Sequence, residues 1–404
     1  MTRGVGGSTP EQALAGLRDM TAGSSPIGLA EYQARIERAQ ALMQAQGIAA
    51  LYLNAGSNLR YFTGVQWHPS ERLVGALLPA SGQLEYIAPA FEEGTVRDFQ
   101  VVPGAIRTWQ EHENPYRLLL DMLADLNLAA DARVALCPSL PFFMFDGIRR
   151  EGSAYDFIDG ARVTGHCRQR KSAAEIALMQ RAKDMTLEVH KAAASILRAG
   201  ISTTEVEEFI HQAHRKVGAP GSYFCIVLFG PASAFPHGVR EPQVLKDGDM
   251  VLVDTGCKLH GYISDITRSY VFGTPSERQR SFWDFEKAAQ LQAFEAARLG
   301  APCESVDAAA RRSLEANGFG PDYQLPGLPH RTGHGIGLDI HEGPYLVRGD
   351  ATPLEPGMCF SNEPMICVPG EFGIRLEDHF YMAEDGPRWF TQPSHSIDDP
   401  FGLE

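Results

Sequence analysis

Between Met250 and Phe272 the chain reads MVLVDTGCKLHGYISDITRSYVF, which puts two aspartates, Asp254 and Asp265, on two runs of strand-forming residues. Val251, Leu252 and Val253 lead into the first. Ile263, Ile266 and the run Tyr270-Val271-Phe272 surround the second. The break between them holds His260-Gly261, a turn signal. A hairpin with Leu259-His260 as its two-residue loop sets Asp254 directly opposite Asp265. A loop one residue later makes them diagonal neighbours on the same ribbon. Opposed residues have Cβ atoms ~5 Å apart, and like charges there are destabilising. Two carboxylates directed at one spot therefore require a cation between them, which the hairpin alone does not identify.

Further clusters stand around this hairpin. The segment from Pro329 to Glu342 reads PHRTGHGIGLDIHE and holds His330, His334 and His341. His330 and His334 have the i,i+4 spacing of zinc-binding helices, but Gly333, Gly335 and Gly337 argue against a helix. A Gly-rich extended segment lets backbone approach a ligand or metal closely; a Gly-rich turn with incidental histidines is the plainer alternative. Glu363, in Ser361-Asn362-Glu363-Pro364, follows an apolar run where a charge needs a partner. Arg375 and Glu377, in GIRLED, share one face if the segment is a strand; a surface strand of alternating charge looks the same. His237, in Phe235-Pro236-His237-Gly238, is a loop histidine of the kind that is usually just solvated.

In order, Asp254, Asp265, His334, Glu363 and Glu377 make four carboxylates and one imidazole. Two divalent ions supply about the positive charge such a set needs. Oxygen-rich ligation suits Mn²⁺ better than a structural Zn²⁺ site, although Zn²⁺, Co²⁺ or Fe²⁺ also fit. Two-metal sites hold a water between ions ~3.5–4 Å apart, a nucleophile at neutral pH. The chemistry implied is hydrolysis.

The motifs VDTG, YISDITRSY, HRTGHGIGLDIHE, NEP and RLED closely resemble those of the metal-dependent pita-bread peptidases, the family of methionine aminopeptidase, aminopeptidase P and prolidase. The likeness runs from about residue 170 to the end. The half before it is similar to the N-terminal domain of the proline-specific branch and of creatinase. By position, the resemblance implies that Asp254 binds one metal, that Asp265 and Glu377 bridge both, and that His334 and Glu363 complete opposite sides. Glu363 is also the implied general base. His237, His330 and His341 are the implied histidines that position substrate and stabilise the oxyanion, and Arg375 is the implied holder of a carboxylate. The implied substrate is an Xaa-Pro peptide, whose tertiary amide is a poor substrate for general proteases. Modest length and a compact N-terminal half favour an Xaa-Pro dipeptidase over aminopeptidase P, and the resemblance implies a homodimer. A creatinase-like C–N hydrolase, a dimethylsulfoniopropionate lyase and a binding module that serves only as an interaction surface, all on the same fold, are the alternatives. The lyases carry an Asp two residues after the first ligand, where this chain has Gly256.

The elements that must position these residues read as an α+β chain. The 404 residues suffice for two domains. A smaller N-terminal creatinase/prolidase-like α/β domain is expected over 1–168 and a C-terminal pita-bread catalytic domain over 169–404. Helices are expected at Leu29 to Gln46, Tyr116 to Leu126, Phe142 to Glu151, Ala173 to Leu197, from Ser202 to Lys216, at Glu277 to Leu299 and at Ser305 to Asn317. Asn58 to Gly64 reads as a strand entering a turn, and residues 1 to 26 as loosely held, with a short helix at Glu11 to Met20. The net charge of −14, from 50 acidic against 36 basic residues, argues against nucleic acid or an anionic membrane as partner. The seven cysteines show no CxxC spacing and read as reduced thiols. With no apolar leader and no long apolar span, a cytoplasmic location is expected.

Overall fold

A computed structural model describes residues 2–152 and 154–403. The chain divides into two compact units, Pro26–Arg168 and Met1–Ser25 with Gln169–Glu404. The sequence reading kept 1–168 together. Instead, the first 25 residues group with the second unit, because their backbone bonds to it. Gly6 N donates to Ala194 O at 2.9 Å, Ser8 N to Ser195 O at 3.0 Å and Met20 N to Val217 O at 2.9 Å. The short helix there is Pro10–Gly16, opened by a Thr9/Gln12 capping box.

In the unit Pro26–Arg168, strands β1 (Ile48–Asn54), β2 (Gly75–Pro79), β3 (Glu85–Pro89), β4 (Ile106–Trp109), β5 (Arg133–Leu136) and β6 (Asp156–Asp159) form one mixed sheet in the order β4-β3-β2-β1-β5-β6. Helices Pro115–Asp125 and Phe142–Glu151 bury Leu119, Leu123, Met144 and Ile148 against Tyr52, Ile87 and Val134. The stretch expected as a strand from Asn58 is instead the helix Ser57–Thr63, closed by Gly64 at φ 80°. Its apolar residues are buried without alternation, and a run this short does not tell helix from strand by periodicity.

The other unit carries β7 (Ser222–Phe229), β8 (Met250–Leu259), β9 (Tyr262–Ile263), β10 (Ile266–Val271), β11 (Gly333–Gly335), β12 (Glu342–Leu346), β13 (Cys359–Asn362), β14 (Met365–Val368), β15 (Phe372–Arg375), β16 (Asp378–Ala383) and β17 (Gly386–Trp389). They form a β10-β8-β7 sheet with β9 paired to β8, a five-stranded β12-β11-β13-β16-β17 sheet, and the β14-β15 pair. An isolated bridge between Thr267 and Glu377 ties the first sheet to the strands that follow. Helices Ala173–Ser195 and Thr203–Lys216 begin on the capping boxes Ser172/Glu175 and Ser202/Glu205. Helices Glu277–Ala296 and Glu304–Glu315 also belong to this unit, and Trp283, Ala289, Ala293, Val306 and Ala310 join its core with Leu252, Phe360 and Phe380.

One buried ion pair pins the strands that converge on Glu377. Arg268 Nη2 meets Asp378 Oδ1 at 2.7 Å, with both side chains buried. Arg268 Nη1 also donates to Glu377 O at 2.9 Å. Removing one member of such a pair leaves an uncompensated buried charge, which costs about 3–5 kcal/mol. Asp378→Ala is therefore expected to lower the unfolding free energy by about that amount in urea titrations, and Arg268→Met/Asp378→Leu to recover part of it. A loss below about 1 kcal/mol would show that the pair does not hold this corner together.

Candidate metal centre

The hairpin register settles which loop the sequence left open. Leu259 pairs with Tyr262, so the two-residue loop is His260-Gly261. Both loop residues have positive φ, 48° and 97°, as a type I′ turn requires. Gly adopts this freely and His more readily than Leu, which excludes Leu259 from the loop. Asp254 therefore faces Thr267, and Asp265 is its diagonal neighbour, at roughly 7–8 Å in an ordinary ladder. Thr267 is also the bridge partner of Glu377. Directly paired residues, and those two apart on one strand, share a face. Asp254, Asp265, Thr267 and Glu377 thus project from one side of the same row.

The later strands bring the remaining groups to that face. His334, in β11, places Nε2 at 3.1 Å from Glu363 Oε1 and 3.7 Å from Asp265 Oδ2. Ligand atoms of Asp265, His334 and Glu377 all lie within 4.8 Å of one another. Asp254, Asp265, His334 and Glu377 are buried, and Glu363 partly so. His334 Nδ1 lies 3.0 Å from Gly335 O. With the proton on Nδ1, Nε2 offers a lone pair, so that Nε2 and two carboxylate oxygens point acceptors at one another. Asp254 Oδ1 and Glu377 Oε1 are buried and have no hydrogen-bond partner among the described residues. Converging acceptors and orphaned buried oxygens fit divalent cations, and the oxygen-rich donor set suits a hard or borderline one.

The electrostatics agree with the geometry. Burial pushes the carboxyls of Asp265 and Glu377 well above their ordinary range, and neighbouring carboxylates add to it. Burial also raises Asp254, against the pull of Arg375. Glu363 is shifted down: burial opposes its charge, but the His334 imidazole outweighs it, helped by His330 and Arg375. Arg375 is buried, and its Nη2 donates to Asp254 Oδ2 at 2.6 Å. Its Nε donates to Thr267 Oγ1 at 3.0 Å and its Nη1 to Pro236 O at 3.1 Å. The carboxylate Arg375 holds is thus Asp254's own, through one nitrogen and not a bidentate fork.

The three other histidines surround this face. His341 packs on His334 with ring centroids 4.2 Å apart; burial and His334 lower its pKa to about 4. His330 donates from Nδ1 to Arg331 O at 2.7 Å, and burial lowers its pKa. His237 is exposed beside a cleft of about 260 Å³ lined also by Thr204, Glu207, Cys225 and Gln243.

Several supporting residues were not singled out from sequence. Asp307 and Arg311, an i,i+4 pair on helix Glu304–Glu315, are both buried and 2.9 Å apart. Asp307 Oδ1 accepts from Thr332 N and Oγ1, while Arg311 donates to Leu328 O and, at 2.6 Å, to His330 O. The pair clamps the segment that presents His330 and His334; its spacing was a readable signal. His379 lies with Nε2 3.9 Å from Glu377 Oε1, and burial holds its pKa well below the ordinary value. Lys183 is fully buried and donates to Ile263 O at 3.3 Å. Burial lowers its pKa to about 8, against the raising influence of Cys359, Asp265 and Glu377. Only the fold brings that lysine near the site.

Comparison with known proteins places both parts of the chain in known families. Residues 177–384 match the profile of metallopeptidase family M24, and residues 35–170 that of the creatinase/prolidase N-terminal domain. The putative dipeptidase YkvY of Bacillus subtilis is 32% identical over 362 residues, which span 89% of this chain and 97% of that protein. Dipeptidase PepE from Mycobacterium ulcerans superposes with a TM-score of 0.85 at 32% identity, over 92% of this chain and 98% of that one. A prolidase from Thermococcus sibiricus superposes with a TM-score of 0.82 at 30% identity, over 89% and 97%. These likenesses establish the pita-bread fold behind a creatinase-type N-terminal domain.

In the metal-free chain three carboxyls have folded pKa values raised above the unfolded ones. The stability they contribute is present below about pH 4 and is lost as pH rises through the folded values. Glu363, shifted the other way, acts in the opposite sense but is one group against three. A cation that binds only the folded, charged site reverses the loss. The difference in melting temperature between Mn²⁺-loaded and EDTA-treated protein should therefore widen from about pH 5 to about pH 8 in thermal-shift measurements. A gap independent of pH would count against this centre.

Proposed function

Because the chain belongs to metallopeptidase family M24, we propose that it hydrolyses the peptide bond between an N-terminal residue and proline, with Xaa-Pro dipeptides as preferred substrates. The observation that carries the reading is the convergence of Asp265, Glu363 and Glu377 on His334, with buried acceptors that have no hydrogen-bond partner among the described residues. Asp254, Asp265, His334, Glu363 and Glu377 would hold two divalent ions, Mn²⁺ by preference. Such ions, when bound, supply Lewis acidity and lower the pKa of a water to near 7. The chain's own groups do the rest. Glu363 Oε1 accepts from Ser361 Oγ at 3.1 Å, which leaves Oε2 to accept a proton from the attacking water and return it to the leaving nitrogen. His341, kept neutral at pH 7 by burial, donates to the developing oxyanion, while His330, whose Nδ1 proton is held by Arg331 O, offers Nε2 as an acceptor that positions the substrate. His237 borders the cleft where the substrate's side chain would lie.

Relatives named dipeptidase and prolidase support the dipeptidase reading over aminopeptidase P. The retained ligand set argues against a metal-free creatinase-like hydrolase and against a bare interaction module. The lyase reading needs an acid at position 256. A Cβ there would lie 1.8 Å from Ser264 O, so the hairpin leaves no room for one. Among the described residues no helix is long and apolar enough to cross a membrane. The working form we propose is a cytoplasmic homodimer.

Two measurements test the reading. Ala-Pro should be cleaved well and Ala-Pro-Ala poorly, whereas equal or better cleavage of the tripeptide would make the enzyme an aminopeptidase P. Activity should vanish on chelation and in Asp254→Asn, and Glu363→Gln should lower kcat by about 10²–10⁴-fold. A chain that stays fully active without metal would overturn the mechanism.

A further inference from the structure

A dipeptide differs from every longer peptide in the free carboxylate that follows its second residue, so a dipeptidase needs a cation for it. Arg375 is not available. Its Nε, Nη1 and Nη2 already donate to Thr267, Pro236 and Asp254, and its side chain is 3% exposed. The buried Lys183 donates to Ile263 O, and Arg311 is committed to Asp307 and three backbone carbonyls.

Arg331 differs from all three. It is half-buried, and among the described residues no carboxylate pairs with it. Its Cζ stands 4.2 Å from the centroid of the Tyr345 ring. Tyr345 is the direct ladder partner of His334 across β11 and β12. Directly paired residues project from the same face, so Tyr345 lies on the side of the ribbon from which His334 reaches the carboxylates. His341, packed on His334, lies close enough to Arg331 to feel its charge. His334, Tyr345 and the Arg331 guanidinium therefore form one row that leads away from the candidate metal centre. Tyr345 stands one ladder step, ~5 Å between Cβ atoms, from His334, and the guanidinium lies 4.2 Å from the centre of its ring.

We propose that Arg331, braced on Tyr345, receives the C-terminal carboxylate of a dipeptide substrate and is the residue that makes the free acid the preferred substrate. The inference rests on the peptidase reading above. Guanidinium suits the task because its planar fork can hold a carboxylate through two parallel hydrogen bonds. The aromatic brace contributes by fixing the fork before substrate arrives, which reduces the ordering cost of binding.

The experiment compares Ala-Pro with its C-terminal amide on the full chain loaded with Mn²⁺. Wild type should prefer the free acid by about ten- to a hundredfold, as expected for charge-assisted hydrogen bonds. Arg331→Gln should abolish that preference, with the loss carried in KM, and Arg331→Lys should retain part of it. Should Arg331→Gln fail to fold, Tyr345→Leu, which keeps the arginine and removes the brace, should lower the preference several-fold. A wild type indifferent to the amide, or an unchanged acid-to-amide ratio in either folded variant, overturns the inference. A wild type that cleaves neither Ala-Pro nor its amide overturns the proline-specific reading instead, and the same ratio measured on Ala-Ala then decides the role of Arg331.

Discussion

Gathering four carboxylates on one buried face is the least favourable electrostatic arrangement in this chain, and the surrounding structure is built to offset it. Like charges repel, and burial strips each of the water that would screen it. Thr267 sits at the centre of the arrangement. It faces Asp254 on one side and Glu377 on the other, and its hydroxyl donates to Glu377 Oε2 at 2.6 Å. Arg375 neutralises Asp254, and Lys183 adds a second buried positive charge nearby. These cations compensate only part of the charge, and the remainder is what makes the face a cation site.

Holding such a site requires rigid strands. Arg268 fastens the backbone at Glu377 while its ion pair with Asp378 satisfies both charges. Gly256 lets Ser264 approach within a distance no side chain would permit, which brings Asp265 into the row. Gly333 does the same for β11: a Cβ there would lie 2.1 Å from Ser361 O. The glycines of the HRTGHGIG segment are thus explained by close strand packing around His334, with the Asp307–Arg311 pair clamping its entrance. Positions that look like flexible loop in composition are among the most constrained in the molecule.

Much of this was legible in the linear chain. Helix ends followed their capping residues: the Ser172/Glu175 and Ser202/Glu205 boxes open helices where expected, because a cap is a local interaction. The helices Leu29–Gln46 and Phe142–Glu151 also span their expected ranges, without a side-chain cap. The failures were of another kind. Ser57–Thr63 became a helix because a run of seven residues, five of them buried, carries no decisive period. The N-terminal residues joined the far unit because their partners are backbone groups of Ala194, Ser195, Val217 and Gly273, all of them distant in sequence.

The sequence by itself determined the inventory: four carboxylates, four histidines and one arginine, spaced on strand-like runs that imply a metallopeptidase. Residue type, charge and alternation are properties of the chain and need no contacts to be read. The tertiary structure alone decided the assignments among them. It selected His260-Gly261 as the turn through backbone torsion, and so made Asp254 and Asp265 diagonal neighbours. It committed Arg375 to Asp254, left Arg331 without a carboxylate partner among the described residues, and buried Lys183 and His379 beside the site. Those are pairings between residues up to more than 100 positions apart. Such pairings depend on register, burial and packing, which no local pattern specifies.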